Sequence, residues 1–217
     1  MSKPRLRMLP DQRRAQITQV ARTIIVEQGG GALTLRAVAA GCNVSLAAIQ
    51  HHFPDKRELL EEVIESITSE YEQRYANAIC ATASDPAEKL RQFISFLICD
   101  DIKLRSTAGF FYEFWTMSFR DPFAEEAMTR LYDMQLIRVR DMVKSINVNL
   151  SNREALTRAG LIVAAADGLM MTTGAGKNTI LVRESAADFR MVDLLMTMVG
   201  QPASVGEDSP MEACRLQ

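Results

Sequence analysis

Apolar residues recur at helical spacing along most of the chain, and polar caps or glycines interrupt them at intervals. Between Asp11 and Gln28 they fall at Ala15, Ile17, Val20, Ala21, Ile24 and Ile25. That is the stripe of an amphipathic helix, and Gly29-Gly30-Gly31 ends it. Thr34 then caps a short helix through about Cys42, and Ser45 caps another from Leu46 to about Phe53, broken by Pro54 and Asp55. A long amphipathic helix is predicted from Lys56 to about Ala81. Asp85-Pro86-Ala87-Glu88 has the cap, first-turn proline and acid of a helix start, and this helix should reach about Leu104. Further helices are predicted over Ser106–Ser118, from Asp121-Pro122 to about Asn147, from Ser151 or Asn152 to about Thr173, and over Ser185–Val199. Residues 175–184 read as a loop and residues 201–217 as a flexible tail. The expectation is an all-α chain of about nine helices. It divides into a three-helix head over residues 1–60 and a larger helical body over residues 61–200.

The short pair over Thr34–Phe53 has the pattern of a helix-turn-helix. Val38, Ala39 and Cys42 should point inward from its first helix, and Val44, Ile49 and Phe53 from the turn and the second. Ala39 is small enough to let the two helices cross closely. Asn43 stands where the chain must leave the first helix, a place for positive φ that asparagine tolerates. The second helix is about two turns long and poor in charge. It would present Leu46, Ala47, Gln50 and His51, a surface that suits base edges and thymine methyls in a major groove.

Charge supports that assignment. The chain of 217 residues has a net charge of −2, but residues 1–60 hold nine lysines and arginines against four acids. The remaining 157 residues carry 16 basic and 23 acidic side chains. A basic head on an acidic body fits a nucleic-acid contact confined to one end.

The spaced residues Thr34, Arg36, Val38-Ala39, Val44-Ser45, His51-His52-Phe53, Lys56 and Leu59-Leu60 resemble the TetR family of bacterial repressors. The resemblance is close over about residues 11–60. It implies phosphate contacts from Thr34 and Lys56 and a base contact from Arg36. It also implies base reading by Leu46, Ala47 and Ala48 behind the Ser45 cap, and backbone or base contacts from Gln50, His51 and His52. The chain departs from the family pattern at Asn43, Ala47, Ala48 and Gln50, where the family has glycine, glycine, threonine and tyrosine. Two common hydroxyl contacts to the DNA backbone are thereby absent, and Gln50 is free to read a base. A metal site at His51-His52 is disfavoured: adjacent helical positions diverge by about 100°, zinc pairs prefer i, i+4 spacing, and the chain has no other histidine. No metal and no cofactor are expected.

In the body, residues 110–119 hold six of the aromatics. Phe111, Phe114, Trp115 and Ser118 form one helical stripe, either core packing or the wall of a ligand pocket. Phe114-Trp115, Arg120-Asp121-Pro122 and Ala165-Ala166-Asp167-Gly168-Leu169 loosely resemble the BetI-type branch of the family. Phe111, Phe114, Trp115, Asp167 and Met171 are the candidate pocket residues. The last two predicted helices are more apolar than a surface requires, and the family resemblance implies a dimer interface there. Its candidates are Leu161, Ala165, Leu169, Phe189, Val192, Leu195 and Met196.

These expectations describe a homodimeric, cytoplasmic repressor of a double-stranded DNA operator, released by a small-molecule effector. A ligand-independent DNA-binding module that recruits a protein partner is the alternative. An all-α enzyme is disfavoured, because the body has no histidine and its acids lie mostly on solvated helix faces. Cys42, Cys80, Cys99 and Cys214 are scattered, as expected of reduced thiols. No secretory signal and no apolar run near the ~18 residues of a membrane span are expected.

Overall fold

A computed structural model of the chain describes residues 9–78 and 85–202. Among them are ten α-helices and no strand. The head comprises α1 (Pro10–Gln28), a 3₁₀ turn (Gly30–Ala32), α2 (Leu35–Cys42) and α3 (Leu46–Gln50). The first part of α4 (Lys56–Ala78) completes it. The body follows with α5 (Pro86–Ser95), α6 (Arg105–Ser118), α7 (Pro122–Ile146), α8 (Asn152–Thr173), α9 (Ile180–Glu184) and α10 (Ala187–Gly200). The predicted end of α4 at Ala81, Cys80, Cys214 and nearly all of the expected tail lie outside the described residues.

The capping chemistry explains most boundaries. Thr34 Oγ1 accepts from Ala37 N at 3.0 Å and Ser45 Oγ from Ala48 N at 3.2 Å. Asp85, Asp121 and Ser151 cap α5, α7 and α8 in the same way. Helix α3 ends three residues before the expected Phe53. Pro54 disfavours helical geometry in the residue before it, and His52 N turns back to Ile49 O at 2.9 Å. Residues 175–184 are not all loop, since Thr179 caps the short α9.

The largest departure lies after α5. The helix expected to reach Leu104 stops at Ser95, widens into a π turn over Phe96–Asp100 and closes in a 3₁₀ turn over Asp101–Lys103. Tertiary bonds hold this irregular stretch. Ala175 N donates to Ile102 O at 3.0 Å, and Lys103 Nζ donates to Thr173 O at 2.8 Å. A π turn inserts a residue and re-aims the side chains after it; here it turns Asp101 into the interior, where it is buried.

Two cores share this frame. The first joins Ile17, Ala21 and Ile25 of α1, Val38 and Ala39 of α2, Ile49 and Phe53 to Leu59, Leu60, Val63 and Ile67 of α4. It continues into Phe110 and Phe114 of α6 and Ala124, Ala127 and Met128 of α7. The second packs α5, the π turn, α7, α8 and α10 around residues such as Phe93, Ile98, Val139, Ile162 and Leu195. Phe111, Trp115 and Tyr132 pack against both.

Helix α8 corrects one reading of the sequence: over its 22 residues it is long and apolar enough, by length and composition, to cross a membrane. Here much of it is buried inside the protein, and it carries Arg158, which is 4% exposed. The Arg158 guanidinium donates to Met198 O at 2.9 Å, Val199 O at 3.1 Å, Gln201 O at 2.7 Å and Pro202 O at 3.0 Å. Its Nε donates to Glu154 Oε1 at 2.8 Å. One side chain thus satisfies the carbonyls that the end of α10 leaves open and fixes α10 on α8. Arg158→Ala should therefore destabilise the fold by about 3 kcal/mol or more, because it leaves both Glu154 and those carbonyls without a partner. Denaturant unfolding measures this, and a loss below about 1 kcal/mol would contradict the account.

Candidate nucleic-acid interface and internal cavity

The head positions its contact face by burying the opposite one. Ile49 and Phe53 are fully buried, whereas Ala47, Ala48, Gln50 and His51 are exposed. Thr34, Arg36, Ser45 and Lys56 are exposed beside them, and Leu46 and His52 are half-buried. Asn43 has φ 53° and ψ 50°, the left-handed conformation that swings the chain from α2 into the turn. Asp55 caps the start of α4, accepting from Glu58 N at 2.9 Å, and so sets the backbone that carries Lys56.

Arg14 of α1 ties these pieces together. It donates to His52 O at 3.0 Å and to Glu62 Oε2 at 2.5 Å, and its guanidinium lies 4.2 Å from the Phe53 ring centroid. Arg22 repeats the α1–α4 tie two turns on, pairing with Glu70. Both arginines come from the basic head, so its positive charge is not all directed outward. Lys3, Arg5 and Arg7 lie outside the described residues. The two histidines have different environments. His51 is exposed, while His52 is half-buried, and its pKa is lowered by burial and then by neighbouring His51, Arg14 and Arg13.

In the body, a cavity of about 70 Å³ lies between α4, α6, α7 and α8 and the stretch after α5. Apolar walls come from Ile67, Leu97, Ile102, Phe110, Phe111 and Met170, and polar groups from Tyr71, Arg74, Asp101, Tyr132, Arg138 and Asp167. Of the candidate pocket residues, Phe111 and Asp167 line it. Phe114 is fully buried in the core on the head side, and Met171 is 54% exposed on the outer face of α8. Met170, the next residue along, faces the cavity instead. The aromatic stripe is therefore core along one edge and cavity wall along the other.

Trp115 reaches the cavity through a relay. Its Nε1 donates to Tyr132 Oη at 2.9 Å, and Tyr132 Oη donates to Asp167 Oδ2 at 2.8 Å. Burial pushes the Asp167 carboxyl up to about 6, with the Tyr132 hydrogen bond opposing the shift. A second acid, Asp101, is also raised by burial, although Arg74 donates to it at 2.5 Å. Tyr71, Arg74, Asp101 and Tyr132 were missed in the sequence. The periodic pattern treats Tyr71 and Tyr132 as ordinary amphipathic positions, and nothing in it announces the π turn that brings Asp101 inward.

The candidate dimer residues divide in the same way. Leu169, Val192 and Leu195 are buried within the single chain, because α10 packs its apolar side onto α5 and α8. Ala165 and Met196 are half-buried, while Leu161 and Phe189 are 52% and 69% exposed. The exposed residues of α8 begin with Asn152 and Arg153 and continue through Leu156, Thr157, Leu161, Ala164, Gly168, Met171 and Thr172, uncharged from Leu156 onward.

Asp167 makes a prediction about pH. Its folded pKa lies above the ordinary ~3.9, so the folded state holds a proton that the unfolded chain releases. Its contribution is fully present below about pH 4 and is lost as pH rises through about 6. Asp167→Asn should flatten that decline and raise stability at neutral pH by about 1–3 kcal/mol. Denaturant unfolding from acid to neutral pH tests it; a variant less stable than the parent at neutral pH would contradict the burial argument.

Comparison with known proteins agrees with this geometry. Residues 17–63 match the family model for bacterial regulatory proteins of the tetR family. The BetI transcriptional regulator of Burkholderia lata is 26% identical over 188 residues, covering 85% of this chain and 94% of that protein. The KstR2 transcriptional repressor of Mycolicibacterium smegmatis is 33% identical over 81 residues, and that match covers 37% of this chain and only 39% of KstR2. GusR of Salmonella enterica shares the fold with a TM-score of 0.65 at 18% identity, over 88% of this chain and 95% of that one. The head is thus similar to the tetR family of bacterial regulatory proteins over residues 17–63, and the whole chain is similar to the BetI regulator along most of its length.

Proposed function

We propose that this protein is a cytoplasmic, homodimeric transcriptional repressor that holds a roughly palindromic operator and lets go when a small molecule enters its body. It acts by binding and not by catalysis. The observation that carries the reading is the exposed side of α3, where small Ala47 and Ala48 lie beside Gln50, with Thr34, Arg36 and Lys56 around them. Small side chains let a helix settle into a major groove, Gln50 suits adenine, and Lys56 suits phosphate.

The uncharged strip of α8 supports the dimer. Leu161, Met171, and Phe189 and Leu194 of α10 are apolar and more than half exposed, and a large exposed apolar face on a soluble protein marks an interaction site. A second copy would cover it and present two heads to successive major grooves, roughly 34–36 Å apart. Release is proposed to pass through α6. Phe110 and Phe111 line the cavity, while Glu113 Oε2 accepts from Gly30 N at 2.9 Å in the turn that ends α1. A Cβ on Gly30 would stand 2.2 Å from Met117 Sδ, so this turn is seated directly on α6. A ligand that displaces α6 shifts the head and changes the spacing of the two α3 helices.

Two outcomes are expected. Lys56→Ala should weaken binding to all DNA sequences alike, whereas Gln50→Ala should change preference at particular base positions; fluorescence anisotropy with selected and scrambled duplexes separates them. Equal effects of both on every duplex would remove the base-reading role of Gln50. Leu161→Glu should leave the helical content intact and convert the dimer to a monomer in sedimentation analysis. An unchanged dimer would place the interface elsewhere.

A further inference from the structure

Two buried hydrogen-bonding groups on α4 lack a partner among the described residues: the Tyr71 hydroxyl and the Nε–H of Arg74. They are three residues apart, which puts them on one face of the helix, and both residues line the cavity. The rest of the Arg74 guanidinium is engaged. Nη1 donates to Asp101 Oδ1 at 2.5 Å and Nη2 to Thr107 Oγ1 at 3.3 Å, while Glu70 Oε1 stands 3.9 Å from Nε, too far for a hydrogen bond. Buried polar groups are nearly always paired, so two unpaired ones on residues that line the same cavity mark where an acceptor is missing.

Charge narrows what that acceptor can be. Arg74 is already matched by Asp101, and Arg138 pairs with Glu72 at 2.5 Å. A carboxylate placed here would bury a further negative charge beside Asp101 and Glu72 with no free cation among the described lining residues to answer it. An uncharged oxygen needs no such answer. We infer that the cavity takes a compact, uncharged carbonyl compound, whose oxygen accepts hydrogen bonds from Tyr71 Oη and Arg74 Nε while its hydrocarbon part lies against Ile67, Leu97, Ile102 and Phe110. The inference rests on the effector-cavity reading above and names its chemistry. A cavity of about 70 Å³ is room for about five waters, so the compound must be small.

Binding to the full chain is measured by ligand-observed NMR titration and Trp115 emission, with cyclopentanone, butyrate and cyclopentylamine as probes. Cyclopentanone should bind best, and Tyr71→Phe should weaken it about ten-fold. Because the hydroxyl has no partner among the described residues, Tyr71→Phe should melt no lower than the parent without ligand. A clearly lower melting temperature, equal cyclopentanone binding to both proteins, or preference for either charged probe would overturn the carbonyl subsite. A probe that shifts Trp115 emission and releases DNA equally in both proteins would overturn the subsite but leave the effector cavity standing. If no probe binds and none alters Trp115 emission, both the subsite and the cavity reading fail.

Discussion

Helix α4 is the constraint on which the rest depends. It is one unbroken helix of 23 residues. Leu59, Leu60 and Val63 in its first turns close the head, while Tyr71 and Arg74 two to three turns on wall the cavity. A regular helix is stiff over this length, because every turn is held by the ladder of its neighbours. The head cannot move independently of the cavity wall. Arg14–Glu62 and Arg22–Glu70 fasten α1 to the same rod, and Arg74–Asp101 fastens the rod to the stretch after α5. Sterically, the Gly30 turn on α6 makes a second connection between the same two regions.

The head works by an economy of side chains. A five-residue helix cannot be stable alone, so α3 is held by Ile49 and Phe53 beneath it, by the Ser45 cap before it and by Arg14 on the His52 carbonyl after it. That arrangement leaves its outer side free of structural duty. Three of the four departures from the family pattern, Ala47, Ala48 and Gln50, fall on that free side. They alter what the head can contact without disturbing how it folds.

Much of the frame was legible in the sequence. Caps at Thr34, Ser45, Asp85, Asp121 and Ser151 and the positive φ at Asn43 follow from short polar side chains and local backbone sterics, which act within a few residues. What stayed hidden depends on residues far apart in sequence. The 3₁₀ turn that follows the π turn is held by Ala175 and Thr173, and the burial of Arg158 depends on the end of α10 some 40 residues later. The side of α8 that faces outward is likewise set by where α7 and α10 pack. Leu169, Val192 and Leu195 therefore read as interface yet lie in the core, and Met171 faces away from the cavity its neighbour Met170 lines. Periodicity marks an apolar stripe but does not say which partner covers it.

The central claim is that two copies of this head read DNA together. Selecting bound sequences from random duplexes with the purified full chain, then footprinting the winner, tests it most directly. The account predicts a dyad-symmetric site with half-sites about 10 base pairs apart centre to centre, or a multiple of that turn, each protected in the major groove. A single asymmetric site, or no enrichment over the starting pool, would contradict it.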